Sequence, residues 1–263
     1  MDEVRRPVAL TVAGSDPSGG AGLQADLKTF HQHGVYGCAA AALLTVQNTV
    51  GVEAVHLVVP EVVAAQVRAV LSDLPVAVLK TGALGSLAIA QALADVLQGR
   101  ALPWVLDPVM VSTSGRALLD PKDALAVADL LFPMATLITP NLDEASLLLG
   151  HRVSDADSLL EAAREFRQHW GCGVLLKGGH LEGDPCDALV TDDLERLYVG
   201  HRVATRHSHG TGCVLASAIA SHLAWGRPLG DAVKHARAFV EHALATAPGL
   251  GMGHGPMNLF SAT

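Results

Sequence analysis

The chain has 263 residues, half of them apolar but only 4% aromatic, a content of small aliphatic side chains that suits a buried parallel sheet covered by helices. Eighteen basic residues stand against 26 acidic ones, a formal charge of −8, and no Lys/Arg stripe of the kind a nucleic-acid backbone demands is present. No apolar stretch approaches the ~18–20 residues of a membrane span.

The N-terminal segment is short, charged and wrongly flanked for a signal peptide, so the reading is cytoplasmic. Cys38, Cys172, Cys186 and Cys213 form no CxxC pair and are expected as free thiols.

In chain order, residues 7–13 read as a buried strand, followed by a glycine-rich loop over 14–22. A helix then runs through about residue 33 with Leu23, Leu27 and Phe30 on one face, and Asp26 is expected at its surface or supporting a cap. Strands are predicted over 35–46 and 52–58, and a helix opened by proline over 60–71. A strand over 76–80 and a helix over 86–97 follow, then short strands over 104–106, 136–138 and 174–176. Two further strands, 188–191 and 196–199, precede helices over 211–225 and 229–245. This alternation predicts one α/β domain over residues 1–263, a three-layer α/β/α sandwich with a mainly parallel central sheet. Polar and glycine clusters fall just after strands, where open α/β sheets bind ligands.

Six of these clusters carry candidate chemistry. Ala13-Gly14-Ser15-Asp16-Pro17-Ser18-Gly19-Gly20-Ala21-Gly22 can bring backbone close to a ligand, or be a turn capped by Asp16 or Ser18. Gln47, in Thr45-Val46-Gln47-Asn48-Thr49, offers a paired donor and acceptor suited to an aminopyrimidine, or merely a polar turn. Asp107, in Asp107-Pro108-Val109-Met110, suits a Mg²⁺ shell or a loop salt bridge. Asn141 and Glu144 sit i, i+3 at a helix start, compatible both with a capping box and with support of hydrated Mg²⁺. Lys177, in Lys177-Gly178-Gly179-His180, can reach phosphate oxygens or lie in solvent before a turn. His209-Gly210-Thr211-Gly212-Cys213 opens an apolar helix whose first N–H groups would form an anion hole. Cys213 in that first turn is a thiol whose pKa is expected to fall, or a buried inert cysteine. His207 and His209 have HxH spacing without an evident third ligand, which argues against zinc.

In this order and spacing the six motifs resemble the ribokinase-like superfamily, and within it the hydroxymethylpyrimidine/phosphomethylpyrimidine kinases of thiamine biosynthesis, over about residues 8–256. The resemblance implies ATP, Mg²⁺ and phosphorylation of 4-amino-5-hydroxymethyl-2-methylpyrimidine and then of its monophosphate. It implies Gln47, Gly14, Asp16 and Val109 at the pyrimidine, and Lys177, Thr211 and Asn141 at the nucleotide. It further implies Glu144 and Asp107 at the metal, and Gly210, Gly212, Cys213 and Lys177 at the transferred phosphoryl group. Most of the superfamily has aspartate as the base where this branch, like this chain, has Cys213. A homodimer is also implied, with apolar strands near residues 35–58 as the interface. One departure is Ala83, where the family commonly carries methionine, which leaves a pyridoxal-type substrate open. The alternatives are therefore a pyridoxine/pyridoxal kinase on the same scaffold, or a non-catalytic pyrimidine-binding sensor.

Overall fold

The computed structural model describes residues 6–112, 114–179, 181 and 183–260. His180, the last residue of the lysine loop, lies outside the described residues. A nine-stranded sheet in the order β3-β2-β1-β4-β5-β6-β7-β8-β9 forms the middle layer. Its strands are β1 (Val8–Ser15), β2 (Tyr36–Gln47), β3 (Val52–Leu57), β4 (Val76–Thr81), β5 (Trp104–Leu106), β6 (Leu137–Ile138), β7 (Gly173–Gly178), β8 (Cys186–Val190) and β9 (Glu195–Val199). β1, β2, β4, β5, β6 and β7 run parallel, whereas β3, β8 and β9 join through antiparallel pairings at the two edges.

The period-2 pattern of the central strands divides the core. Leu10, Leu79, Leu106, Ile138 and Leu176 pack against α2 (Pro60–Asp73), α3 (Leu87–Leu97), α4 (Ala124–Leu131), α5 (Leu142–Leu149) and α6 (Ala156–Trp170). Ala9, Val78, Val105, Leu137 and Leu175 face the opposite layer, made by α1 (Gly22–Gln32), α7 (Thr211–Ala224) and α8 (Leu229–Ala245). Burial of both faces is what a parallel sheet with helical crossovers requires, and it explains strands apolar on every residue.

The strand and helix assignments agree with the sequence reading to within a few residues. α4, α5 and α6 occupy stretches in which that reading marks at most a helix start. α4 is apolar nearly all round and carries little periodic signal. α6 was legible in principle: Asp155 caps it through a capping box with Ser158, and Gly171 ends it in the left-handed region.

All four cysteines are free, as expected. No helix among the described residues is long and apolar enough to cross a membrane.

Candidate active site

The carboxyl ends of β1, β2, β4, β5, β6 and β7 all open on one edge of the sheet, and the polar clusters collect there because the strands are parallel. Two ends of one site can be distinguished.

At one end, Lys177 is the penultimate residue of β7 and Asp107 follows β5. The Lys177 Nζ donates to Asp107 Oδ1 at 2.7 Å, and the Thr139 hydroxyl donates to the same oxygen at 2.9 Å. Burial alone would push Lys177 down, but Asp107 and Glu144 beside it raise it above the ordinary ammonium value. The pair lies directly beneath the start of α7: a Cβ on Gly212 would sit 3.2 Å from Lys177 Nζ and 3.3 Å from Asp107 Oδ2. No side chain caps α7; the Thr211 N–H donates to the Ser208 carbonyl at 3.3 Å, which leaves the N–H groups of Gly212 and Cys213 for the site. Thr211 donates its hydroxyl hydrogen to the Ser208 carbonyl at the same turn.

Glu144 performs two tasks at once. Its Oε2 accepts from the Asn141 N–H at 2.8 Å while Asn141 Oδ1 accepts from the Glu144 N–H at 2.9 Å, the reciprocal capping box that starts α5. The carboxyl is only 6% exposed and its pKa is pushed up to about 7, chiefly by burial and further by Asp107, against the attraction of Lys177. Two carboxylates therefore share one ammonium. This donor set is short of positive charge and fits a divalent cation. No group of three His, Cys, Asp or Glu side chains able to hold a metal exists among the described residues, so a cation here needs ligands from water and phosphate.

Cys213 is half-buried on the first turn of α7. The expectation of a lowered thiol pKa is corrected here: burial pushes it up to about 11, with Asp26 and Asp107 adding to the rise. Lys80 and a backbone hydrogen bond from Gly22 work against the shift without overcoming it.

Asp26 is not a surface residue. It is fully buried, and it accepts from the Thr11 hydroxyl at 2.6 Å, from the Ser217 hydroxyl at 2.7 Å and from Lys80 Nζ at 2.8 Å on both oxygens. Burial would lower the Lys80 pKa, but Asp26 raises it to about 12, with smaller contributions from Cys213 and Asp107. Ser217 is one helical turn beyond Cys213, so the Asp26–Lys80 pair lies along the thiol's face of α7. The sequence carried a sign of this: Asp26 falls between Leu23 and Phe30 on the helix's apolar face, and Lys80 shares a strand face with Val78.

At the other end, Asp16 is buried and fully engaged. Its Oδ1 accepts from the Ser18 N–H at 2.9 Å and hydroxyl at 2.7 Å. Its Oδ2 accepts from Ala21 N–H at 2.9 Å and Gly20 N–H at 3.2 Å and meets His209 Nε2 at 2.8 Å. The cap and the ligand readings of Asp16 thus separate: its oxygens hold the loop and His209 together. Gln47 Nε2 lies 3.0 Å from the same His209 Nε2. His209, read from sequence as the head of the helix-opening motif and as half of an HxH pair, is the joint of this end of the site. Gly14 is the penultimate residue of β1, and the Thr45 hydroxyl donates to the Ser15 carbonyl, tying β2 to the loop.

The two ends meet through main chain. Gly210 has φ +81°, and a Cβ there would sit 1.9 Å from the Gly20 carbonyl oxygen. Val109 follows Asp107, with its N–H on the Asp107 carbonyl at 2.8 Å. A mainly apolar cavity under that loop includes Asp107, Val109 and Met110 in its lining but none of Gly14, Gln47 or Cys213. It lies beside the site and does not contain it. Ala83 is buried just past β4.

A sequence profile of the family described as phosphomethylpyrimidine kinase matches residues 16–258. The thiamine biosynthesis bifunctional protein ThiED of Geobacter sulfurreducens is 46% identical over 255 residues. That match covers 96% of this chain but 52% of the bifunctional protein, so the chain spans about half its length. A hydroxymethylpyrimidine/phosphomethylpyrimidine kinase of Rhizobium meliloti is 45% identical over 258 residues, covering 96% of this chain and 97% of that protein. Among solved structures, an ADP complex of Bacillus subtilis pyridoxal kinase superposes with a TM-score of 0.88 at 32% identity, over 96% of this chain and 97% of that one.

Proposed function

The chain belongs to the phosphomethylpyrimidine kinase family, and from that premise we propose that it transfers the γ-phosphoryl group of ATP to 4-amino-5-hydroxymethyl-2-methylpyrimidine and then to the resulting monophosphate. The observation that carries the proposal is the Lys177–Asp107 pair set against Gly212 beneath the uncapped start of α7. A transferred phosphoryl group needs positioning and charge stabilisation far more than covalent help.

In this reading Lys177 leaves Asp107 for the phosphate oxygens, and the N–H groups of Gly212 and Cys213 hold the charge that develops on the phosphoryl oxygens. Asp107 and Glu144 support a Mg²⁺ carried in with the nucleotide, with Asn141 and Thr211 at its border; the ion would neutralise phosphate charge. The acceptor oxygen forms its bond to the γ-phosphorus as the bond to the β-phosphate oxygen breaks, and the hydroxyl proton passes to an oxygen of the transferred phosphoryl group. A thiol held near pKa 11 keeps its own proton at neutral pH, so Cys213 orients the hydroxyl as a hydrogen-bond partner and does not act as its base. The monophosphate arrives as an anion and needs no proton removed, so it leans less on the thiol. Gln47 reads the heterocycle edge, with Gly14 and Val109 bounding it.

The chain is proposed to act as one cytoplasmic kinase unit and as a homodimer. Tyr36, Leu44, Val46 and Leu57 leave an apolar surface on β2 and β3 at the sheet edge, between 45% and 60% exposed. Light scattering on the eluted protein tests the dimer. Pyridoxal is a secondary acceptor in this reading, supported by the small Ala83 and by the likeness to the Bacillus subtilis pyridoxal kinase. A coupled assay of ADP release with the pyrimidine alcohol, its monophosphate and pyridoxal side by side tests the assignment. Turnover of both pyrimidines is expected; turnover of pyridoxal alone would overturn it, and tight pyrimidine binding without ADP would indicate a sensor.

A further inference from the structure

We propose that His209 is a positioning residue that sets which way the Gln47 amide faces, and so sets the donor–acceptor order presented to the heterocycle. The inference rests on the reading that Gln47 contacts the ring, and it adds the residue that gives this contact its polarity.

The argument is one of proton placement. His209 Nε2 stands 2.8 Å from Asp16 Oδ2 and 3.0 Å from the end of the Gln47 amide. One ring nitrogen cannot donate to the carboxylate and accept from the amide N–H at once. Asp16 decides between the two. Its oxygens already accept from two backbone N–H groups and from both polar groups of Ser18. Such a carboxyl stays ionised, and a carboxylate facing a bare nitrogen lone pair would be repulsive. Nε2 therefore carries a proton, whatever the state of Nδ1. The Gln47 amide must then flip end for end from the arrangement that sets its nitrogen 3.0 Å from Nε2, so that Oε1 shares the single Nε2–H with Asp16 Oδ2.

That orientation has a chemical consequence. The side of Oε1 facing His209 is engaged. The free edge of the amide offers the remaining Oε1 lone pair and one N–H in a fixed order. A 4-aminopyrimidine edge pairs an exocyclic N–H with a ring nitrogen acceptor, and it matches this order in one register only. A freely turning amide would match both orders equally and lose that discrimination.

The surroundings hold the ring still. His209 is 5% exposed, its main-chain N–H donates to the Gly255 carbonyl at 3.2 Å, and a Cβ on Gly20 would meet the imidazole at 2.6 Å. Other groups of similar promise serve elsewhere: the buried Asp26–Lys80 pair has all its partners within the fold, and the Arg237–Asp187 pair ties α8 to β8.

The test compares His209→Leu with His209→Gln, whose amide nitrogen can stand where Nε2 stands. For H209L, the KM for the aminopyrimidine alcohol should rise roughly tenfold to a hundredfold, the loss of one charge-assisted hydrogen-bond relay. The KM for ATP should hold, and the preference for the pyrimidine over pyridoxal should narrow. H209Q should recover most of the loss, and H209L should add nothing in a Gln47→Ala background. ¹⁵N-histidine NMR of the unmodified protein, with H209Q identifying the resonance, should show a protonated Nε2 and requires no folded H209L. A parallel rise in both KM values, an additive effect with Q47A, or an unprotonated Nε2 would overturn the proposal. If Q47A alone leaves the pyrimidine KM unchanged while Nε2 is protonated, the ring contact itself is wrong, and the failure belongs to that premise.

Discussion

Two lysine–aspartate pairs stand at the same edge of the sheet and have opposite characters. Lys80–Asp26 is sealed: both side chains are wholly buried, and Thr11 and Ser217 complete the carboxylate's partners. Lys177–Asp107 is open: the lysine side chain keeps 14% of its surface, and a second carboxyl, Glu144, competes for it. Desolvation has been offset once and for all in the first pair. In the second, each charge retains a use for another partner. The same two residue types thus make a foundation in one place and an exchangeable contact in the other, and the difference lies in how many hydrogen bonds are already satisfied.

The sharpest way to break this contrast is Lys80→Met. It strands the Asp26 carboxylate in the core and should cost about 3–5 kcal/mol by chemical denaturation. The double change K80M with Asp26→Leu should recover much of that loss, since no charge is left unpaired. Equal destabilisation by the single and double variants would contradict the sealed-pair account. Lys177→Met should do the reverse, lowering kcat/KM by about 10²–10³-fold with a far smaller loss of stability than K80M. A loss of folding as large as that of K80M would erase the distinction.

Glu144 gives a subtler test through pH. Its folded-state pKa of about 7 lies above the ordinary value of 4.5, so the native state holds more protons than the unfolded chain between those values. Stability should therefore fall as pH rises through that window, and Glu144→Gln should flatten the fall in a thermal-melt series. Mg²⁺ with ADP should stabilise the native protein more at pH 8 than at pH 6, because a cation needs the ionised carboxyl. The smallest effect is expected at the thiol. Cys213→Ala should slow phosphorylation of the alcohol by about tenfold, the loss of one orienting hydrogen bond, and slow the monophosphate step less. Equal losses on the two acceptors would remove the thiol's role in orienting the hydroxyl.

Much of this organisation can be read before any coordinates. The alternation of strands and helices and the polar residues at strand ends identify the layers and the edge that carries the site. The capping box of Asn141 and Glu144 is written in their spacing, and the structure bears it out. What spacing cannot convey is which polar residues meet across the chain. Asp26 and Lys80 are 54 positions apart, and His209 lies 162 positions from Gln47 and 193 from Asp16. Their meeting depends on parallel strands that bring distant loops to one edge. The Cys213 expectation failed for a related reason: a helix N-terminus is visible locally, whereas the burial that outweighs it comes from the surrounding elements.

The contact of Gly210 with the Gly20 carbonyl has a further bearing on how such an enzyme can change. The anion-holding turn and the acceptor loop touch main chain to main chain, with no room even for a methyl group between them. Their separation is thus a constant of the scaffold, a built-in gauge for the span from ring edge to reacting oxygen. In the proposed site, that span would sort acceptors before any side chain reads them. New substrates of the same reach can be admitted by exchanges at positions such as Ala83 or Gln47, whereas a longer or shorter acceptor would demand a different fold of both loops at once.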